Sequence, residues 1–111
     1  MQKIVFNAVG VTFDNRQEIY KKLVILPQEV IEKELIFDLV REPDNKHDAK
    51  AIKIIVIRGD EEYHLGYIKK ELAEELAPLF DDNIDMELRF LGFYSGGSRF
   101  EVYGARFELQ Y

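Results

Sequence analysis

No cysteine occurs in this 111-residue chain. Its absence excludes a disulfide framework, a thiolate metal site and a cysteine nucleophile, and suits a reducing compartment. Serine is confined to Ser95 and Ser98, on a glycine-rich stretch with no base beside them, which leaves a nucleophilic triad without support. The two histidines, His47 and His64, have no partners at metal-ligand spacing. Without thiolates only carboxylates would remain as further ligands, so no zinc site is expected. The phosphate-cradling glycine patterns GxxxxGK[ST] and GxGxxG are missing. No apolar run approaches the ~20 residues of a membrane helix, and the opening MQKIVFNAV is too short and too interrupted by Asn7 to be a secretory signal. These absences point to a cytoplasmic protein that is not an enzyme, with no cofactor and no membrane contact.

Apolar residues make up 47% of the chain, enough for one core without staples, so residues 1–111 are expected to form a single domain. The formal net charge of −6 argues against indiscriminate nucleic-acid binding. The acidic excess is local, however. Residues 71–87 hold Glu71, Glu74, Glu75, Asp81, Asp82, Asp85 and Glu87 with no lysine or arginine, while the remainder is close to neutral. A basic patch elsewhere is compatible with that total.

Patterning along the chain is mostly that of strands. Lys3 to Phe13 reads as a first strand, with Gly10 at a bulge or bend. Asn15 and Glu18 have capping-box spacing ahead of a short helix from Arg16 to Leu23 that buries Ile19, Tyr20 and Leu23. Pro27 marks a turn. Alternation from Glu34 to Arg41 puts Leu35, Phe37 and Leu39 on one buried face. After the loop PDNKHD, Lys50 to Ile57 becomes apolar on both faces, as a central strand does. The turn Arg58-Gly59-Asp60 then returns the chain as a hairpin partner, Glu62 to Tyr67. Leu72, Leu76, Leu79 and Phe80 form the stripe of a helix over 69–80, with Pro78 expected to end its regular part or to start a final turn. Ile84 to Tyr94 and Arg99 to Leu109 are two more strands joined by Ser95-Gly96-Gly97-Ser98. The sum is a mainly β fold of about six antiparallel strands and two short helices; closing it into a partly open β-barrel would hide the sheet edges, with the helix 69–80 over one opening.

The hairpin gathers the polar residues of interest. Pairing Lys50–Ile57 with Glu62–Tyr67 brings the start of one strand to the end of the other. Asn45, His47 and Asp48 then face Tyr67, Lys69 and Lys70, with Arg41 entering the loop. Rings that stack on bases, cations that meet phosphates and polar groups that bond a sugar hydroxyl suit a nucleic-acid end. Each also has a plainer explanation. Asp48 and Asn45 are good turn cappers, Tyr67 can finish a core strand with its hydroxyl in water, and the acidic run can be a solvated helix face. Two lysines at a helix start, where acids are favoured, tilt the balance toward an anion site.

The stretches VREPDNKHDAKAIKI and HLGYIKKELAEELAPLFD resemble the HIRAN domain, and VGVTFDNRQEIYKKL resembles the opening of its bacterial members. The resemblance spans nearly the whole chain and is most specific over residues 39–81. It implies an OB-like β-barrel that binds DNA without catalysis, free-standing or fused to helicase-like and ubiquitin-ligase proteins. The best understood members grip the 3′-hydroxyl end of single-stranded DNA in a repair or replication-fork context. By motif, the implied pocket residues are Asn45, His47 and Asp48, the ring of Tyr67 after the Leu-Gly pair, and the basic Lys69 and Lys70; Arg41 joins them as a phosphate contact from its place at the loop. The implied partners are single-stranded DNA or DNA 3′ ends, and a helicase or nuclease. Two positions depart from the pattern: His47 stands where Tyr is frequent, and Phe6-Asn7-Ala8 stands where end-gripping members carry an Arg-Tyr-type pair. The alternative is a protein-interaction module that presents the acidic face 71–87 to a basic partner. An enzyme acting on DNA ends has least support.

Overall fold

The computed structural model describes residues 1–96 and 102–111. Gly97 and Ser98 of the expected hairpin tip, and Arg99 and its neighbours at the start of the expected last strand, lie outside the described residues. Among those described, the order is β1 (Lys3–Asn7), α1 (Arg16–Val24), α2 (Gln28–Glu34), β2 (Leu35–Arg41), β3 (Ile52–Arg58), β4 (Glu61–Tyr67), α3 (Lys70–Asp81), β5 (Glu87–Gly96) and β6 (Val102–Gln110). The strands form two three-stranded antiparallel sheets, ordered β1-β6-β5 and β2-β3-β4. The mainly β reading and the antiparallel pairing therefore hold. None of the described helices is long and apolar enough to cross a membrane.

A short segment after β1 joins the two sheets. Ala8 N–H still donates to Ala105 O on β6, at 2.9 Å. One residue later, Val9 exchanges both backbone hydrogen bonds with Tyr67 at the end of β4, each at 2.9 Å. Gly66 makes this approach possible. Its φ is +156°, and a Cβ there would lie 2.6 Å from Val9 O, so a side chain would push the segment off the strand. The first strand is consequently shorter than the sequence suggests. Gly10 bends the chain at φ 69°, and Asp14 and Asn15 follow at φ 53° and 61°.

The helices match expectation in part. Asn15 takes the N-cap position in the left-handed conformation and makes no side-chain cap bond, while Glu18 pairs with Lys21 at 3.1 Å. The capping box fails because an N-cap side chain reaches the free amides from an extended backbone, which Asn15 lacks. α3 runs to Asp81 with Pro78 opening its last turn, one of the two outcomes expected at that proline. The hydrogen bond that Pro78 forfeits belongs to the carbonyl of Glu74, on the exposed side of the helix, where water can replace it. α2 is the third helix and carries no apolar stripe; Ile31 is its buried residue.

One core serves both sheets. Phe6, Phe107 and Leu109 of the first sheet meet Leu35, Leu39, Ile52, Ile54, Val56 and Leu65 of the second, closed by Tyr20 and Leu23 from α1 and Leu72, Ala73 and Leu76 from α3. Phe37 stacks on Phe90 at 4.1 Å between ring centroids and meets Phe93 and Phe107 edge-on. β3 is buried on both faces, since Ile54, Ile55 and Val56 are all nearly inaccessible, as expected of a central strand.

Candidate functional site

The loop between β2 and β3 is held largely by its own polar groups. Asn45 Oδ1 accepts the backbone N–H groups of His47 at 2.9 Å and Asp48 at 3.1 Å. Asp48 Oδ1 accepts the N–H of Lys50 at 2.9 Å. The Arg41 guanidinium donates to the carbonyls of Ala49 and Ala51 at 2.9 and 3.1 Å, and its Nε binds Asp81 at the end of α3 at 3.1 Å. The turn explanation for Asn45 and Asp48 is thus real, and it leaves part of each side chain open. Asp48 Oδ2 and the side chain of His47 have no protein partner among the described residues.

A carboxylate fastens this loop to β4. Glu42 Oε1 accepts the Tyr67 hydroxyl at 2.8 Å and Asn45 Nδ2 at 3.0 Å, and Lys53 lies 4.0 Å from Oε2. Partial burial raises the Glu42 pKa, but these hydrogen bonds and the lysine outweigh it and hold the carboxyl below its ordinary range. Burial and the bond to Glu42 push the Tyr67 hydroxyl up, so at neutral pH it is a committed donor.

Behind Tyr67 stands a buried arginine. Arg16 is only 6% exposed, and its Nη1 donates to Gly10 O at 2.6 Å. Nη2 reaches Asp14 Oδ2 at 3.4 Å and His64 Nδ1 at 3.2 Å. His64 Nε2 lies 2.9 Å from Gly66 O. A carbonyl only accepts, so Nε2 carries the proton and Nδ1 accepts from Arg16. Burial first, and then the charge of Arg16, lower the His64 pKa, consistent with a neutral ring. The guanidinium also lies over the Tyr67 ring, 5.4 Å from its centroid, and His64 meets that ring edge-on at 4.8 Å. Arg16 Nε is buried without a partner, and its ion-pair partner Asp14 has a side chain 85% exposed. Its positive charge is therefore poorly compensated.

These parts border one groove of about 530 Å³, lined by Asn45, His47, Asp48, Tyr67 and Lys70 together with Val9, Gly10, Phe13, Asp14, Arg16, Ala51 and Ile68. Two of the anticipated residues do not line it. Arg41 lines a neighbouring hollow that shares Asn45 and Tyr67 with the groove. Lys69, adjacent in sequence to Lys70, lines a different groove beside β1. The groove also holds residues that sequence patterning does not single out. Phe13 is 66% exposed and presents a ring, although its pattern reads as the end of a strand. Arg16 has the spacing of an ordinary first helical residue. The left-handed turn at Asp14 and Asn15 redirects both toward the groove, and no periodicity signals it. Among the described residues no cluster of three His, Asp or Glu side chains is placed to hold a metal ion.

A small two-sheet β domain with a ring-lined groove around a buried arginine is the class that this geometry defines. Residues 1–91 match the HIRAN domain, and the chain belongs to that family. A Fanconi-associated nuclease 1 homolog from Arabidopsis thaliana is 46% identical over 54 residues, covering 49% of this chain and 5% of that protein. The Oryza sativa subsp. japonica homolog of the same name is 46% identical over 43 residues, 39% of this chain and 4% of that protein. A helicase-like transcription factor from Oryctolagus cuniculus is 44% identical over 46 residues, 41% of this chain and 4% of that protein. The chain thus corresponds to a small part of each of these relatives. No solved structure matches it.

Proposed function

We propose that the chain is a non-catalytic DNA-binding module that takes the 3′-hydroxyl end of single-stranded DNA into the groove between the 42–51 loop and the Gly10–Arg16 turn. The observation that carries this reading is the convergence of the Phe13, His47 and Tyr67 side chains, two cations and the open oxygen of Asp48 on one groove. Aromatic faces accept bases of any sequence. Lys70 and the under-compensated Arg16 favour a phosphate at short range. Asp48 Oδ2 accepts the terminal hydroxyl and repels a terminal phosphate. Phe13 and Arg16 supply a ring and a guanidinium where the first strand lacks the Arg-Tyr-type pair. Lys69 meets the strand outside the groove, and Arg41 acts by bracing the loop. The switch of one segment between the two sheets supports an OB-like, partly open barrel, since strands that change sheets form barrel corners. The names of the similar nuclease and helicase-like proteins favour a repair or fork context, with such an enzyme as partner.

Fluorescence anisotropy with short single strands bearing a 3′-hydroxyl or a 3′-phosphate tests this. Asp48→Asn is the informative variant, because Asn retains an oxygen for the Lys50 N–H and removes the charge. The wild type is expected to prefer the hydroxyl end and the variant to lose that preference. Equal binding of both ends by the wild type would reject end reading while keeping DNA binding. No binding at low salt would move the assignment to a protein partner on the acidic face 71–87.

A further inference from the structure

We infer that the bound strand continues past the end groove, over the start of α3 and across the outer face of the β1-β6-β5 sheet, where Arg106 and Tyr94 form a second nucleotide subsite. This rests on the end-groove reading and extends it to a surface on the opposite sheet.

Three depressions are contiguous. The end groove shares Val9 with a groove of about 590 Å³ between β1 and α3. Lys70 lines the first and Lys69 the second, so a cation stands on each side of the divide. The second groove in turn shares Asn7 and Arg106 with a hollow of about 270 Å³ that ends at Tyr94. In register, Arg106 sits between Asn7 on β1 and Gly92 on β5, flanked by two neutral neighbours. Among the other described arginines, Arg16, Arg41 and Arg58 are held in ion pairs, and Arg89 is in register with the acidic Glu108. Arg106 is exposed and has no ion-pair or hydrogen-bond partner among the described residues.

Tyr94 provides the surface for a base. It is paired with Gly104 on β6, and a Cβ on Gly104 would lie 2.5 Å from the tyrosine Cζ and Oη. Glycine at this position lets the ring lie down on the sheet, and the residue remains 39% exposed. A ring held flat with an open outer side is a stacking platform. Glu71 and Glu75 line the α3 wall of the middle groove; their charge keeps phosphates on the Arg106 side. Continuity with the end groove, an unpaired guanidinium and an open ring favour a nucleic-acid strand over a peptide added to the free edge of β1.

The test is length dependence. Single strands with a 3′-hydroxyl, from about 3 to about 15 nucleotides, are titrated against wild type, Arg106→Gln and Tyr94→Leu; leucine keeps an apolar cover over Gly104. Wild-type affinity is expected to rise with length and then level off. Arg106→Gln is expected to weaken the long strands about three- to tenfold and to lower the magnitude of their salt slope by about 0.7, the loss of one phosphate contact. Tyr94→Leu is expected to weaken them about fivefold or more. Neither variant should change binding of the shortest strands. Length-independent binding by the wild type, or equal loss on short and long strands, would overturn the path and leave the β1 edge for a peptide, with the end groove intact. A length gain that depends on Arg106 but ignores 3′-end chemistry would uphold the path and reject end reading. Binding of neither length would reject both.

Discussion

Tyr67 concentrates the chemistry of the groove in one side chain. Its ring is gripped by Arg16 and His64, and its hydroxyl is tied to Glu42. Tyr67→Phe keeps the ring and removes the tie. It is expected to cost about 1 kcal/mol in urea unfolding and to weaken DNA binding only mildly; an unchanged midpoint would show that the hydroxyl bond contributes nothing. His64 and Glu42 add a pH dependence. Native His64 is held below its ordinary 6.5, so beneath that pH the unfolded chain gains a proton that the native ring refuses. Its contribution to stability is complete above 6.5 and is lost as pH falls toward the depressed native value. Glu42, also lowered, acts in the same direction in a second window that begins below 4.5. Unfolding midpoints are expected to fall between about pH 7 and pH 5 in the wild type, and to fall less in His64→Gln. Parallel curves for the two proteins would mean that His64 is not the titrating group.

At the scale of elements, the decisive feature is the contact between the segment after β1 and the end of β4. Gly66→Ala would drive a Cβ into Val9 O and is expected to destabilise by about 2 kcal/mol or more, with faster hydrogen exchange at the Val9 and Tyr67 amides. Gly59 also has a positive φ, but nothing lies within 4 Å of its Cβ position. Gly59→Ala should therefore cost about 1 kcal/mol and leave the groove intact. Similar losses at both glycines would falsify the steric account. α3 is held by one face: Leu76 is fully buried and Glu74 is exposed. Leu76→Ala is expected to cost about 2–5 kcal/mol and Glu74→Ala less than about 0.5 kcal/mol.

For the whole molecule, the net charge of −6 and the near balance of Arg16 and Lys70 against Asp14 and Asp48 in the groove set the character of binding. Few phosphates can be neutralised, so the proposed preference for an end rests on contacts at short range. With single strands releasing about 0.7 counterion per phosphate, the log–log salt slope for a short strand is expected to be about −1 to −2. Titrations between about 50 and 200 mM salt measure it. A slope of about −5 would indicate a long basic track and would contradict an end grip.

The sequence by itself determined the elements with strong periodicity. Leu35, Phe37 and Leu39 alternate because one face of β2 is buried. The isoleucines of β3 mark a strand covered on both sides, and Leu72 and Leu76 mark the inner face of α3. The loop chemistry of Asn45 and Asp48 and their closeness to Tyr67 were legible as well, since hairpin pairing alone brings those ends together. α2 was not, because a polar seven-residue helix with one buried residue leaves no stripe. Nor were Phe13 and Arg16 as groove residues, nor the separation of Lys69 from Lys70 into different grooves. Those placements depend on a left-handed turn, on Gly66 letting a distant segment dock, and on the packing of one sheet against another. Such contacts join residues far apart in the chain, and no local pattern of side chains encodes them.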